Sequence, residues 1–272
     1  MLLALPLSED EALVVVVSIL LALVTWIWWY WELASGPKFQ LERTAGRALG
    51  LVPPLALVVL YAILRSWASF DVQNSAEYLF QYMVLGAAWL GVALRFLPWL
   101  GISARDDVAE RGNPAAAVAL VGALLGITLC YAGGNVGDGP GWWVVVFSSG
   151  LATVAFFLAW AVLESASHAS DAVTIDRDVA AGIRHAAFCV GEGAILARGV
   201  AGDWRSAGAT LRDLAAHGWP ALVVLGLAIL LERALQPTGA EPRRSPVVCG
   251  VVPGVVLVAG SLAWVVWLGE AA

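Results

Sequence analysis

Charge is what this chain has least of. Only 13% of its 272 residues are Asp, Glu, Lys or Arg, about half the share usual in a soluble domain. Lysine occurs once, at Lys38 in a loop, so no helix can carry a lysine Schiff base. Cys130, Cys189 and Cys249 all fall inside apolar segments and show no CxxC spacing. They read as buried thiols rather than as a disulfide or zinc framework. HExxH, GxSxG and P-loop patterns are missing, as is any pair of close carboxylates within an apolar run. Catalysis therefore has no support, no cofactor is expected and the chain reads as a non-enzyme. The net charge of −6 is spread over short loops, which leaves no basic patch for nucleic acid. Met1 to Leu7 lacks a positive region, and Glu9, Asp10 and Glu11 precede the first long apolar run. Both features argue against a cleaved signal peptide.

What the chain has in quantity is apolar sequence: 60% of its residues are hydrophobic and the mean hydropathy is +0.81. Runs of spanning length recur throughout, which predicts a polytopic helical membrane protein, with the lipid bilayer as its first partner. The runs are continuous rather than alternating, so a β-barrel is not expected. Eight spans are predicted, at about 12–33, 45–66, 79–100, 114–135, 142–163, 179–200, 218–235 and 246–268. The longest connection, Gly199 to His217, could form a short interfacial helix or a solvated loop. With loops assigned to alternate sides, one side holds Lys38, Arg43, Arg47, Arg95, Arg105, Arg111, Arg177, Arg184, Arg233, Arg243 and Arg244. The other holds Arg65, Arg198, Arg205 and Arg212, which puts both termini outside the cytoplasm. The Trp26–Trp31 cluster and Trp142–Trp143 then fall at opposite interfaces as anchors.

The even-numbered spans begin alike, each just after an acidic-basic group: Glu42-Arg43, Glu110-Arg111, Asp176-Arg177, and Glu241 with Arg243. The arginines lie 68, 66 and 66 residues apart, and an acid follows each at the far interface: Asp71, Asp138, Asp203 and Glu270. This predicts four tandem two-helix hairpins inserted in the same sense. Pro53 and Pro253 mark the two outer copies. The even spans carry small residues near their starts: Gly46 and Gly50, Ala115 to Ala119 with Gly122 and Gly126, Ala180 to Gly182, and Gly250 with Gly254. In lipid, close approach at small residues drives helix association, so the even spans should form the packed centre and the bulkier odd spans should face lipid.

Two stretches carry a family resemblance. Arg111-Gly112-Asn113-Pro114-Ala115 and the small residues to Gly126, together with Asp176-Arg177-Asp178-Val179-Ala180-Ala181-Gly182-Ile183, resemble the two hallmarks of the YjfL-type bacterial membrane family of unknown function (DUF 350, UPF 0719). The resemblance covers about residues 79–203 and implies a four-span unit of two hairpins, a bacterial cytoplasmic (inner) membrane location and no known reaction. It divides a single membrane domain into a first hairpin at 1–78, the four-span unit at 79–203, and a loop with a fourth hairpin at 204–272. Shorter relatives would need to dimerise to match this chain; the added hairpins could make it self-sufficient or enlarge one protomer of a homo-oligomer. Asp178 stands where the family has Asn, and Gly191-Glu192-Gly193 places an acid where it is apolar or small.

Span 6 holds what chemistry there is. Asp178, His185 and Glu192 are spaced i, i+7, i+14, with Cys189 on the same stripe. Glu192 lies roughly 20 Å from the start of the span, where charging a carboxylate costs about 2.5–3.5 kcal/mol even on insertion scales. Arg184 and Arg198, nearer the ends, are expected to snorkel. Three readings stay open. Glu192 is structural glue; or Glu192, His185 and Asp178 form a transport or proton relay; or His185, Cys189 and Glu192 hold a metal, a set lacking an obvious fourth ligand. Asn135 and Asp138 read as a tight outer turn rather than a cation site. The leading functional expectation is a cation or proton channel or transporter through Glu192. The alternative is a non-transporting structural or envelope-stress component that binds proteins or lipids. A water-filled cavity reaching Glu192 would favour the first, and a dry, close-packed centre the second.

Overall fold

The computed structural model describes residues 7–34, 44–237 and 245–271, without the side chains of Thr44, Ala45, Glu270 and Ala271. Lys38, Glu42, Arg43, Glu241, Arg243 and Arg244, used above for charge asymmetry and repeat spacing, lie outside the described residues. The described residues are helical, with only an isolated bridge from Ala68 to Val136 and Gly137. In chain order the helices are α1 (Glu9–Ala34), α2 (Thr44–Trp67), α3 (Phe70–Asn74), α4 (Ala76–Ala93), α5 (Pro114–Gly133), α6 (Trp142–Ser167), α7 (Ala169–Thr174), α8 (Val179–Val200), α9 (Ala207–Gly218), α10 (Pro220–Leu235) and α11 (Val252–Ala271). A 3₁₀ segment, Leu94–Leu100, extends α4, and π-helical turns occupy Ala104–Glu110 and Pro246–Val251. Among the described residues seven helices are long and apolar enough to cross a membrane. The pair α9 and α10, bent by 47°, supplies an eighth span if counted as one. The chain is a multi-pass membrane protein. The bend falls at Trp219-Pro220, where proline withholds a helix N–H.

The connection after α8 is thus helical rather than a bare loop: Ser206 caps α9 by accepting from the Ala209 N–H at 3.1 Å. The two central helices start by the same device. Asn113 Oδ1 accepts from the N–H groups of Ala115 and Ala116 at 3.0 and 3.3 Å. Asp178 accepts from those of Ala180 and Ala181 at 3.2 and 3.1 Å. Each cap follows a residue of left-handed backbone, Gly112 (φ 63°) and Arg177 (φ 55°). Arg177 Nη2 then reaches back to the carbonyls of Arg111 and Gly112 at 3.0 and 3.1 Å, and Asn113 Nδ2 donates to Val173 O at 2.8 Å. The starts of α5 and α8 are thereby tied side by side.

Helices α5 and α8 run parallel, because their contacts advance together from Ala115 against Gly182 to Gly126 against Gly193 to Gly133 against Ala197. A Cβ on Gly182 would fall 2.5 Å from Ala115 O, and one on Gly193 2.5 Å from Gly126 O. Backbone therefore meets backbone, the close packing available to helices in lipid. Helix α2 flanks α5, and α11 flanks α8 through Gly250 and Gly254, giving a row α2–α5–α8–α11. Helices α1 and α4 pair, as do α6 and α10, and Trp89 Nε1 of α4 donates to Thr153 of α6 at 3.1 Å.

This arrangement corrects the expected division between even and odd spans. Helices α5 and α8 are each 78% buried, but α2 and α11, also even, are only 33% and 22% buried. The odd α4 and α6 reach 44% and 50%. Burial follows position in the row: the end members have a neighbour on one side only. The anchoring role given to the first tryptophan cluster also divides. Trp28 and Trp31 are exposed, whereas Trp29 is buried and Trp26 Nε1 donates to Ala87 O at 2.9 Å.

Candidate functional site

Helix α8 is as enclosed as α5, and is touched by α5, α6, α9, α10 and α11. It nevertheless carries Arg184, His185 and Glu192, each 1% exposed. Ionisable groups at such depth are costly and persist only with partners or a purpose.

Arg184 has partners, and they overturn the expectation that it snorkels. Its Nε donates to Glu232 Oε1 at 2.9 Å and its Nη2 to Oε2 at 2.6 Å, while Nη1 donates to Cys249 O at 2.6 Å. The fork matches the carboxylate in bidentate fashion, the geometry that favours arginine over lysine. Both side chains are almost fully buried, at 1% and 3% exposure. The contacts bind the start of α8 to the end of α10 and to the π turn that opens α11. Glu232 escaped the sequence reading because Glu232-Arg233 resembles a charged helix end. Only Arg233 behaves that way: it is exposed and donates to Ala166 O. The available signal was a second acid of opposite sign to Arg184 within reach of the same membrane face.

His185 and Glu192 are different. The His185 ring meets Trp160 of α6 edge-on at 4.4 Å, with Phe188 at 6.2 Å. Neither ring nitrogen finds a hydrogen-bond partner among the described protein groups, and the same holds for Glu192 Oε2 and Trp160 Nε1. Such orphans are uncommon in native interiors and each calls for an explanation. Two helical turns separate His185 from Glu192, roughly 10 Å of rise, so no direct hydrogen bond joins them. Asp178 stands still further off and spends its carboxylate on the α8 cap. The helix start thus accounts for this acid without a relay. Asp178→Asn should be nearly neutral in a thermal melt of the purified protein, whereas Asp178→Ala should cost about 1 kcal/mol as the cap is lost.

The metal set does not assemble. Among the described residues no three His, Cys, Asp or Glu side chains could jointly hold an ion. His185 is turned to the α6 aromatics, and Cys189 lies where α8 crosses Gly126 of α5. Arg198 follows expectation in part: half-buried at the far end of α8, it donates to Leu268 O of α11 at 3.4 Å. A small cavity at that same end, which includes Asn135 and Asp138, does not include Glu192.

Comparison with known proteins adds one match. Residues 66–200, from the end of α2 to the end of α8, match the family described as Domain of Unknown Function (DUF350). The matched segment holds the parallel α5–α8 pair, both of its caps, His185 and Glu192, whereas Glu232 and Cys249 lie beyond it. No curated protein and no solved structure matches the chain. By this segment, residues 66–200, the protein belongs to the DUF350 family of membrane proteins.

Proposed function

We propose that this chain is a non-enzymatic and non-conducting component of a bacterial cytoplasmic membrane. It acts by holding partner proteins or lipids against a rigid helix row. In this reading it is built of four tandem hairpins with both termini outside. A second copy could add at either end of the row, where α2 and α11 are most exposed. The matching caps and left-handed residues at the starts of α5 and α8 support the repeat. The observation that carries the functional reading is the α5–α8 seam. Glycines and alanines there meet at backbone distance along the whole length, which leaves no room for a hydrated path between the two innermost helices.

One observation favours the competing reading, a proton or cation path through Glu192: its Oε2 and both His185 nitrogens are buried without hydrogen-bond partners among the described protein groups. Flux in liposomes separates the two. Proteoliposomes loaded with a pH dye or a cation dye should show the same background leak with the natural protein, with Glu192→Gln and with empty vesicles. Flux in the natural protein that Glu192→Gln abolishes would overturn the proposal and establish the path. Glu192→Gln should also melt no lower than the natural protein, since it exchanges an ionisable orphan for a neutral one.

A further inference from the structure

At the C-terminal end of α5 three turns come together. Gly202 N–H donates to Val136 O at 2.9 Å, Trp204 N–H to Asp138 O at 2.7 Å, and Ala68 bridges to Val136 and Gly137. They enclose a cavity of about 30 Å³ whose lining includes Ser69, Tyr82, Asn135, Asp138, Ser148 and Gly202. That is room enough for a water-sized occupant.

From this geometry we infer that the cavity is a site for a single small, hard cation coordinated by oxygen. Asn135 supplies the first ligand. Its amide is oriented by chemistry: Nδ2 donates to the Tyr131 carbonyl at 2.8 Å, so Oδ1 faces the other way. Asn135 is only 5% exposed, lines the cavity, and its Oδ1 has no hydrogen-bond partner among the described protein groups. The backbone donors of the turn at Asn135, Val136 and Asp138 are spent elsewhere. The N–H groups of Asn135 and Val136 go to Ala132 O and Gly133 O, and that of Asp138 to Asp203 Oδ1. No basic side chain lines the cavity. The carbonyl end of α5 points here, and a helix C-terminus attracts positive charge. Asp138 brings a carboxylate to the rim. The lining residues Ser69, Tyr82 and Ser148 carry hydroxyls, which can present lone pairs as well as protons. Such an oxygen-rich pocket is complementary to a cation, and oxygen ligands with one carboxylate suit sodium or calcium rather than a soft metal.

The test uses the full chain in detergent, melted in choline chloride, in sodium chloride at matched ionic strength, and in choline chloride with added calcium chloride. A saturable rise in melting temperature with sodium or with calcium is expected, and it identifies the ion. Asp138→Asn should shift the midpoint of that rise to about tenfold higher concentration, and Asn135→Leu should abolish it. Asp138 is exposed and its backbone N–H keeps its partner, so that variant remains informative if Asn135→Leu does not fold. Melting that is indifferent to both ions overturns the inference and leaves the cavity to water. A rise whose midpoint is unmoved by Asp138→Asn places the ion elsewhere and also overturns it.

Discussion

Glu232→Ala should prevent the folded protein from accumulating in membranes. The substitution leaves the Arg184 guanidinium, 1% exposed, with Cys249 O as its remaining hydrogen-bond partner among the described residues. Removing one member of a buried pair typically costs about 3–5 kcal/mol, a large part of the 5–15 kcal/mol that holds a typical domain folded. Arg184→Leu should be comparably damaging, since it strands the Glu232 carboxylate. The double variant Arg184→Met with Glu232→Leu should recover most of the loss, because apolar residues of similar volume often replace a buried pair at little cost. Detergent melting of the natural protein, Arg184→Met, Glu232→Leu and their double variant closes a double-mutant cycle, in which the coupling should exceed about 2 kcal/mol. Additive losses would mean that the two side chains act independently and that the bidentate geometry does not hold them together. The cycle also bears on how the chain differs from a bare DUF350 unit. The matched segment ends at residue 200, so Arg184 lies inside it and Glu232 outside. An unpaired arginine in the core is intolerable, so α8 requires α10.

The sequence disclosed a good deal of this fold through features that act locally. Apolar runs located the seven spanning helices and α10, which makes an eighth span only together with α9, and short polar residues ahead of small ones stand at the α5 and α8 starts, Asn113 and Asp178. Runs of Gly and Ala marked α5 and α8 as helices able to approach closely. What it could not disclose is which sides of a helix find a neighbour. Gly46, Gly226 and Gly260 look as permissive as Gly122 or Gly193, yet nothing stands within 4 Å of a Cβ on any of them. Small residues license contact but do not supply the partner, and α2 and α11 were misjudged for that reason. Arg184 and Glu232 failed for a related cause. They are 48 residues apart on different helices, and each had an adequate local explanation as a charge near a helix end. Glu192 was legible as an anomaly from its apolar neighbours alone. Its burial, at 1% exposure, depends on the helices packed around α8, a tertiary fact. His185 was placed correctly on the α8 stripe, but the ring it meets, Trp160, lies on a helix that sequence had assigned mainly to lipid.

Gly193→Val should be among the most damaging single changes that touch no charge. A Cβ at this position would lie 2.5 Å from Gly126 O and 2.7 Å from Gly126 Cα, so it meets backbone on the facing helix. Backbone cannot rotate away as a flexible side chain can, so α5 and α8 must separate. Overpacking in a close-packed interior typically costs about 1–3 kcal/mol, occasionally more, and the upper end applies because one rigid displacement disturbs every contact along the seam. A gap of 0.5–1 Å already forfeits roughly a quarter to a half of the dispersion attraction between facing atoms. In lipid that loss has no hydrophobic compensation, since acyl chains solvate the exposed faces as well as leucine does. Gly226→Val and Gly260→Val make the same chemical change where nothing lies within 4 Å, and both should melt close to the natural protein. The measurement is the melting temperature of all three variants in one detergent. Equal losses at the three sites would assign the effect to valine in a helix rather than to the seam. A loss confined to Gly193 would establish that the closeness of α5 to α8 holds the bundle together.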